Sequence, residues 1–394
     1  MEMLGPRISS ALLAFFALLL PGIVVPCAAQ TRVNNPGRAL AKNAGRVVKL
    51  EEVLRIRDDG EKAIFRTPQN LTIGPDGSLN FLDFSEGNRL YRYGPDGRLI
   101  LKILKNGQGP GECQHATLFF LEGDRLRIHA WSPPKIIDFG PDGRYLREVR
   151  IEENTHGLWF LAAASGRLYG IRDGLFSSAA FKQGAGIFSI PNSLYEISPD
   201  FRTWRKLYEF PVRMVIKRAS AIRLDMIDAA IAGSTLYLVH TAEYQVTAFD
   251  LSTGREERII SRAYDRVKGW AGDAKDSDPE ARGMDLSSDP YVFDIMELHA
   301  VAGHLWVFTS VMKPNGDDQQ VDVFDGSGRF VDSIFLRFPE SGRQHRGARK
   351  KSLVTDDGFL ILPEQEEDGL ISIGKYRIVD ADLFPAPKSS KRSP

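Results

Sequence analysis

Cysteine is almost missing from this 394-residue chain: only Cys27 and Cys113 occur. If the first 29 residues are removed on export, Cys113 stands alone and no intrachain disulfide can form. A lone thiol with no base placed beside it reads as a small packed residue rather than a nucleophile. Net charge is missing too, since 51 Lys and Arg balance 51 Asp and Glu. No overall field therefore favours nucleic acid or an anionic membrane. Two hydrolase signatures are also absent, the Gly-x-Ser-x-Gly elbow and His-Glu-x-x-His. The glycine-rich run Gly107–Glu112 is followed by neither Lys-Ser/Thr nor a helical pattern, which excludes a nucleotide P-loop.

What is present begins with an address. Arg7 precedes a nearly all-apolar stretch from Ala11 to Val25, and small residues flank a cut after Ala29. This is the outline of a secretory signal peptide over 1–29. The competing reading, a membrane anchor, needs about twenty uninterrupted apolar residues, and Pro21 and Gly22 break this run. Val24-Val25-Pro26-Cys27 allows a second form, lipid-modified at Cys27, which is the one route to membrane contact. Residues 30–46 are polar and read as a flexible lead-in, and the Pro-, Lys- and Ser-rich tail from 385 to 394 reads as disordered.

The body of the chain is punctuated by hairpins. Between Leu71 and Glu112 lie four apolar-rich runs, and the tetrapeptide Gly-Pro-Asp-Gly occurs there twice, at 74–77 and 94–97. Proline presets φ for the second turn position, and glycine accepts the positive φ that closes the turn. Four strands in about forty residues is the size of one propeller blade. The unit recurs from about 116 to 151, with Gly140-Pro141-Asp142-Gly143 at the same corner, and more loosely three times over 157–336. Residues 261–288 read as an excursion loop and 337–349 as a basic surface loop. A sixth unit shows only three strands, and Val47–Arg57 is a strand with no nearby partner. The expected fold is therefore all-β: a six-bladed β-propeller of four-stranded antiparallel blades over 47–384. The 47–57 strand closes it as the outermost strand of the last blade, since closure removes exposed sheet edges.

Asp83, Asn88-Arg89 and Pro95-Asp96-Gly97 resemble the NHL-type blade, and Asn106 to Glu112 resembles the connector of a bacterial six-bladed propeller family. That resemblance implies an extracytoplasmic protein, in a family with many lipoproteins and few assigned activities. It also implies that Asp83 is structural within its blade.

Propellers bind at the channel mouth, where loops converge. Matching the ends of the second strands selects Asp83, His129, Arg172, His240 and Glu364 as ligand-binding candidates around one rim. Each can instead hydrogen-bond its own blade. The Gly107–Glu112 loop either presents amides to an anion or lets the chain cross tightly between blades. Glu112 and His115, three apart on a loop, are a weak metal signal. The leading function is an exported, monomeric binding or scaffold protein that recognises a peptide, glycan or protein, with no cofactor and no nucleic acid. The alternative is a metal-dependent lactonase or lyase holding a divalent ion such as calcium through Glu364, Asp83 and Asn192. Such an enzyme needs those donors to converge on one point.

Overall fold

A computed structural model of the chain describes residues 31–57, 65–84, 89–152, 155, 157–164, 166–175, 186–217, 220–268, 291–314, 316–339, 352–380 and 382–384. The expected signal segment, the tail, and most of 261–288 and 337–349 lie outside the described residues. Among the described residues the chain is all-β, with no helix.

Two N-terminal strands, β1 (Thr31–Asn35) and β2 (Arg46–Arg57), join sheets built from later parts of the chain. The first sheet is β3 (Pro68–Ile73), β4 (Leu79–Asp83), β5 (Arg89–Tyr93) and β6 (Leu99–Ile103). The second is β7 (His115–Glu122), β8 (Arg125–Ser132), β9 (Pro134–Phe139) and β10 (Tyr145–Arg150). The third has five strands: β11 (Leu158–Ala164), β12 (Arg167–Arg172), β13 (Gly186–Ile197), β14 (Trp204–Lys217) and β15 (Ser220–Arg223). The fourth is β16 (Asp228–Ala232), β17 (Thr235–Val239), β18 (Gln245–Asp250) and β19 (Arg255–Arg262), with β1 added beyond β19.

The remaining strands are β20 (Ile295–Val301), β21 (His304–Met312), β22 (Asp318–Phe324), β23 (Phe330–Arg337), β24 (Leu353–Val354), β25 (Phe359–Gln365) and β26 (Ile371–Val379). They form one eight-stranded sheet with β2 in its middle, in the order β20-β21-β22-β23-β2-β26-β25-β24.

The turn chemistry is as the sequence requires. Gly77, Gly97 and Gly143 sit at φ of 79°, 79° and 77°. In the first of these turns Gly77 N donates to Gly74 O at 2.9 Å, and Asp76 accepts from Ser78 N and Oγ at 3.1 and 2.6 Å. Every residue of β4 is buried, so its run shows no alternation; both faces pack on neighbours.

Six apolar clusters lie between successive units. Leu82 and Leu90 meet Ile128 and Phe139 between the first and second sheets. Leu118 and Phe120 meet Leu168 and Ile197 between the second and third. Tyr169 and Phe210 meet Leu236 and Phe249, and Tyr237 and Val246 meet Leu305 and Phe324. Trp306 and Val323 meet Leu360 and Ile378 inside the bend of the eight-stranded sheet. Phe81 and Tyr91 then meet Ile361 and Ile373, which returns to the first sheet. The first strands also touch in sequence: β3 with β7, β7 with β11, β11 with β16, β16 with β20, and β20 with β24. Antiparallel sheets arranged this way make a propeller-like body.

Two expectations need correction. Among the described residues there are five sheets rather than six separate four-stranded ones, because β2 is shared. Residues 49–57 pair antiparallel with β26, as the unpartnered strand required, but Arg46–Lys49 also pair parallel with Ile334–Arg337 of β23 and fuse the last two units. The lead-in is not a free arm either: β1 pairs parallel with Arg258–Arg262 of β19. Its polar composition hid this, because strand pairing needs backbone groups rather than apolar side chains.

Asn35 ties that strand down. Its Nδ2 donates to Ser261 O at 3.0 Å and Gly328 O at 2.9 Å, and its Oδ1 accepts from Phe330 N at 2.9 Å. One side chain thus bridges the fourth sheet and the β22–β23 turn. Asn35→Ala is expected to destabilise the fold by about 2 kcal/mol, because it leaves one amide and two carbonyls without partners. Urea unfolding measures it, and a midpoint unchanged from wild type would contradict the bridge.

Candidate functional site

Among the described residues, no hydrogen bond, ion pair or ring contact joins any two of the five rim candidates. Asp83, fully buried at the end of β4, accepts from the backbone amides of Arg66 at 3.0 Å and Thr67 at 2.6 Å. It fixes the entry to its own sheet. Glu364 on β25 is also fully buried and is held by Arg55 Nη1 at 3.1 Å and by the Tyr376 hydroxyl. The partners come from the adjacent strands β2 and β26. Arg172 lies over the ring of Tyr195 and donates to its hydroxyl at 2.8 Å.

The two histidines are packed rather than presented. His129 on β8 is fully buried, its Nδ1 lies 2.7 Å from Thr117 Oγ1, and its ring stacks on Phe201 of the third sheet. Its Nε2 has no partner, and burial pulls its pKa down to about 4. His240 follows β17 and packs on the rings of Phe210 and Tyr208, with both nitrogens lacking partners and its pKa lowered by burial.

A pH dependence follows from His129. Above about 6.5 the ring is neutral in both folded and unfolded chains and contributes nothing. As pH falls from 6.5 towards 4 the unfolded chain binds the proton first, so folding stability declines. The lost stability is about 3 kcal/mol from this group once pH is below 4. His129→Gln removes the slope, so wild type should lose about that much more than the variant between pH 7 and 4. Parallel stability curves for the two proteins would refute it.

Of the residues considered for a divalent ion, Asn192 keeps a buried Oδ1 without a hydrogen-bond partner. Asn192 donates to Ile190 O at 3.2 Å, while Asp83 and Glu364 are engaged as above. Among the described residues no three His, Cys, Asp or Glu side chains converge to hold a metal ion. The glycine loop is also occupied. Glu112 folds back so that its Oε2 accepts from Gly109 N at 3.1 Å, and a Cβ at Gly107 would collide with that carboxylate. One amide of the loop thus serves its own acid, and the close approach at Gly107 fits a tight crossing. Cys113, at its end, is fully buried, and desolvation pushes its thiol up to about 12, which makes it inert.

A different constellation sits on the innermost strands. Glu297 and His299 are two apart on β20, so both point to one face, and Ser352 immediately precedes β24. Ser352 Oγ donates to Glu297 Oε2 at 2.7 Å, His299 Nε2 lies 3.0 Å from the same oxygen, and Ser352 Oγ lies 3.3 Å from Nε2. The T-shaped contact with Phe308, 5.0 Å between centroids, fixes the imidazole from behind. With Nε2–H given to the carboxylate, Nδ1 remains an acceptor, and no hydrogen bond joins it to the described protein. Glu297 keeps about a quarter of its side chain exposed. The cluster thus offers a carboxylate, a hydroxyl and an oriented ring nitrogen at the inner edge, where β20 meets β24.

Sequence reasoning missed this group. The signal was Ile-Met-Glu-Leu-His-Ala-Val, a first strand that carries two chemically active residues at period two where its counterparts are mostly apolar. Ser352 gives no such signal.

No family model matches the chain, and no curated protein matches it. Solved structures do. A protein from Bacteroides fragilis described as exported is 13% identical, with a TM-score of 0.51 over 89% of this chain and 100% of that one. Regucalcin from Agrobacterium tumefaciens, a calcium-binding protein, is 13% identical with a TM-score of 0.45, covering 84% of this chain and 97% of its own. A virginiamycin B lyase from Staphylococcus aureus is 11% identical with a TM-score of 0.43, covering 84% and 100%. The likeness to the first is one of fold, a propeller-like arrangement of antiparallel sheets.

Proposed function

We propose that the chain is an exported, six-bladed β-propeller that binds a polar ligand, such as a peptide, a glycan or a segment of a partner protein, at the axis of its ring. In this reading the eight-stranded sheet counts as two blades, β20–β23 and β24–β26 with β2, and the signal-like 1–29 segment directs it out of the cytoplasm. Six interfacial clusters in a closed cycle support the count. The observation that carries the binding reading is the Glu297, His299 and Ser352 cluster, which is partly open on the inner strands, while Asp83 and Glu364 are locked within their own sheets. Arg172, partly exposed, is a secondary contact of the same proposal.

The test is a binding screen on the mature chain with peptide and glycan panels, repeated with Glu297→Gln, His299→Gln and Ser352→Ala. A hit weakened about tenfold or more by each substitution supports the reading, because each removes a charge-assisted or neutral hydrogen bond to the bound form. Hits indifferent to all three would refute this site.

A further inference from the structure

We propose a second ligand site, away from the ring axis, between the outer parts of the second and third sheets, that takes an acidic sugar: a uronic acid residue of a glycan. A cavity of about 350 Å³ opens there. Its charged lining is Glu122 and Arg127, which flank the β7–β8 turn, Arg147 on β10, and Asp200 and Arg202 on the β13–β14 turn. That volume falls at the low end of ligand pockets and suits one or two sugar rings.

The floor of the cavity is a buried ion pair. Arg127 Nε donates to Asp138 Oδ1 at 2.9 Å, and both side chains are almost fully buried, at 3% and 1% exposed. Arg147 Nε donates to the other Asp138 oxygen at 2.9 Å, and Arg125 lies 3.8 Å from it. Burying such a pair brings little net stability, since desolvation offsets the attraction.

Stitching the two sheets together does not explain these charges. Every ion pair here stays within its own side: Arg125, Arg127 and Arg147 with Asp138 or Glu122, and Arg202 with Asp200. Among the described residues no hydrogen bond or ion pair joins the second sheet to the third, which meet through apolar packing. Other seams are bridged. Arg262 reaches Asp322 at 2.7 Å, and Arg92 donates to Pro141 O at 3.3 Å. At the cavity, the charged groups of the two sheets line a common space without pairing across it, and Asp200 Oδ1 accepts from Ser198 Oγ at 2.6 Å and Arg202 N at 3.2 Å within its own turn.

The sign and type of these groups select the ligand. The lining carries three guanidinium groups (Arg127, Arg147 and Arg202) against two carboxylates (Glu122 and Asp200), an excess of one positive charge, with Arg125 and Asp138 beside it. One carboxylate on the ligand balances it, and guanidinium forks receive carboxylates in bidentate fashion. Glu122 and Asp200 then accept hydrogen bonds from hydroxyls, which a sugar presents at several positions around its ring. Val149 and Pro199 give the ring an apolar wall.

Titration of the mature full chain with a galacturonic acid disaccharide, followed by calorimetry and amide chemical shifts, tests this directly. A neutral galactose disaccharide and an acetylated glutamyl dipeptide are the comparison probes. The acidic disaccharide should bind, and Arg147→Ala and Arg202→Ala should each weaken it about tenfold. Arg202 is largely exposed and pairs with exposed Asp200, so Arg202→Ala should not move the melting temperature, whereas Arg147→Ala takes a partner from buried Asp138 and should lower it. Glu297→Gln should leave this binding intact, which separates the site from the axial one. No binding of the acidic disaccharide at millimolar concentration, equal binding of the neutral one, tighter binding of the dipeptide, or arginine variants that bind like wild type would each overturn the proposal.

Discussion

Replacing Arg55 by alanine is expected to destabilise the protein by about 3–5 kcal/mol, the range for removing one partner of a buried ion pair. Arg55 lies on β2, the strand through which the N-terminal part of the chain completes the last sheet. Its guanidinium reaches Glu364 at 3.1 Å, Ser372 Oγ at 2.9 Å, Tyr376 Oη at 2.6 Å and the Glu52 carboxylate. Glu364 has no exposed surface, so water cannot replace the lost cation. The Tyr376 phenol, pushed above its ordinary range by burial and by the hydrogen bond to Glu364, cannot neutralise it either. Adding Glu364→Gln to Arg55→Ala removes the stranded charge and should recover a substantial part of the loss. Guanidinium unfolding of the four proteins in this cycle measures the coupling. Additive losses would mean that the network does not lock β2 in place.

The second large effect is expected at Arg262, where the N-terminal strap meets the seam between the fourth sheet and β20–β23. Its side chain, 6% exposed, pairs with the fully buried Asp322 at 2.7 Å. Three rings surround the guanidinium, those of Tyr244, Tyr264 and Phe330, at 5.0, 5.0 and 4.9 Å. Its Nη1 also donates to Gly37 O at 3.3 Å, so the same cation holds the segment that follows β1. Arg262→Ala should cost about 3–5 kcal/mol, leaving Asp322 with only the Tyr244 hydroxyl, Gln320 and Ser333. Arg262→Lys keeps the charge but loses the planar stack and the fork, and should fall between alanine and wild type. Hydrogen exchange adds a local readout: amides of residues 31–37 should lose protection in Arg262→Ala before the sheets do. Unchanged protection of that strand would contradict the coupling.

What could be read in advance divides along physical lines. Hairpins announce themselves through residues that tolerate few alternatives, so Gly-Pro-Asp-Gly at 74–77, 94–97 and 140–143 located three corners and the sheets around them. The need to cover a sheet edge led correctly from the unpartnered 47–57 stretch to its pairing with β26. The same reasoning could not see that Arg46–Lys49 also reach β23, because a parallel contact of four residues leaves no mark on hydrophobic patterning. Nor could it find β1, whose Thr-Arg-Val-Asn-Asn is held by backbone pairing and by Asn35.

The rim candidates show the other limit. Counting from a turn locates the end of a strand but says nothing of what meets the side chain there. Asp83 meets two amides and Glu364 an arginine from β2, partners distant from any local pattern. Glu297, His299 and Ser352 are brought together by the approach of β20 and β24, a contact between units more than fifty residues apart in the chain. A strand period can mark two of them as sharing a face, but only the closed arrangement supplies the third.

That closure is best tested at the seam where the chain's last strands meet its first sheet. With methyl-labelled isoleucine and labelled aromatic rings, nuclear Overhauser contacts should join Ile361 and Ile373 to Phe81 and Tyr91, which share one buried cluster across the seam. A ring sealed by β2 gives those contacts and keeps them in the intact mature chain. If Ile361 and Ile373 show no contact with either ring, the sheets form an open arc and the axial site has no enclosing wall.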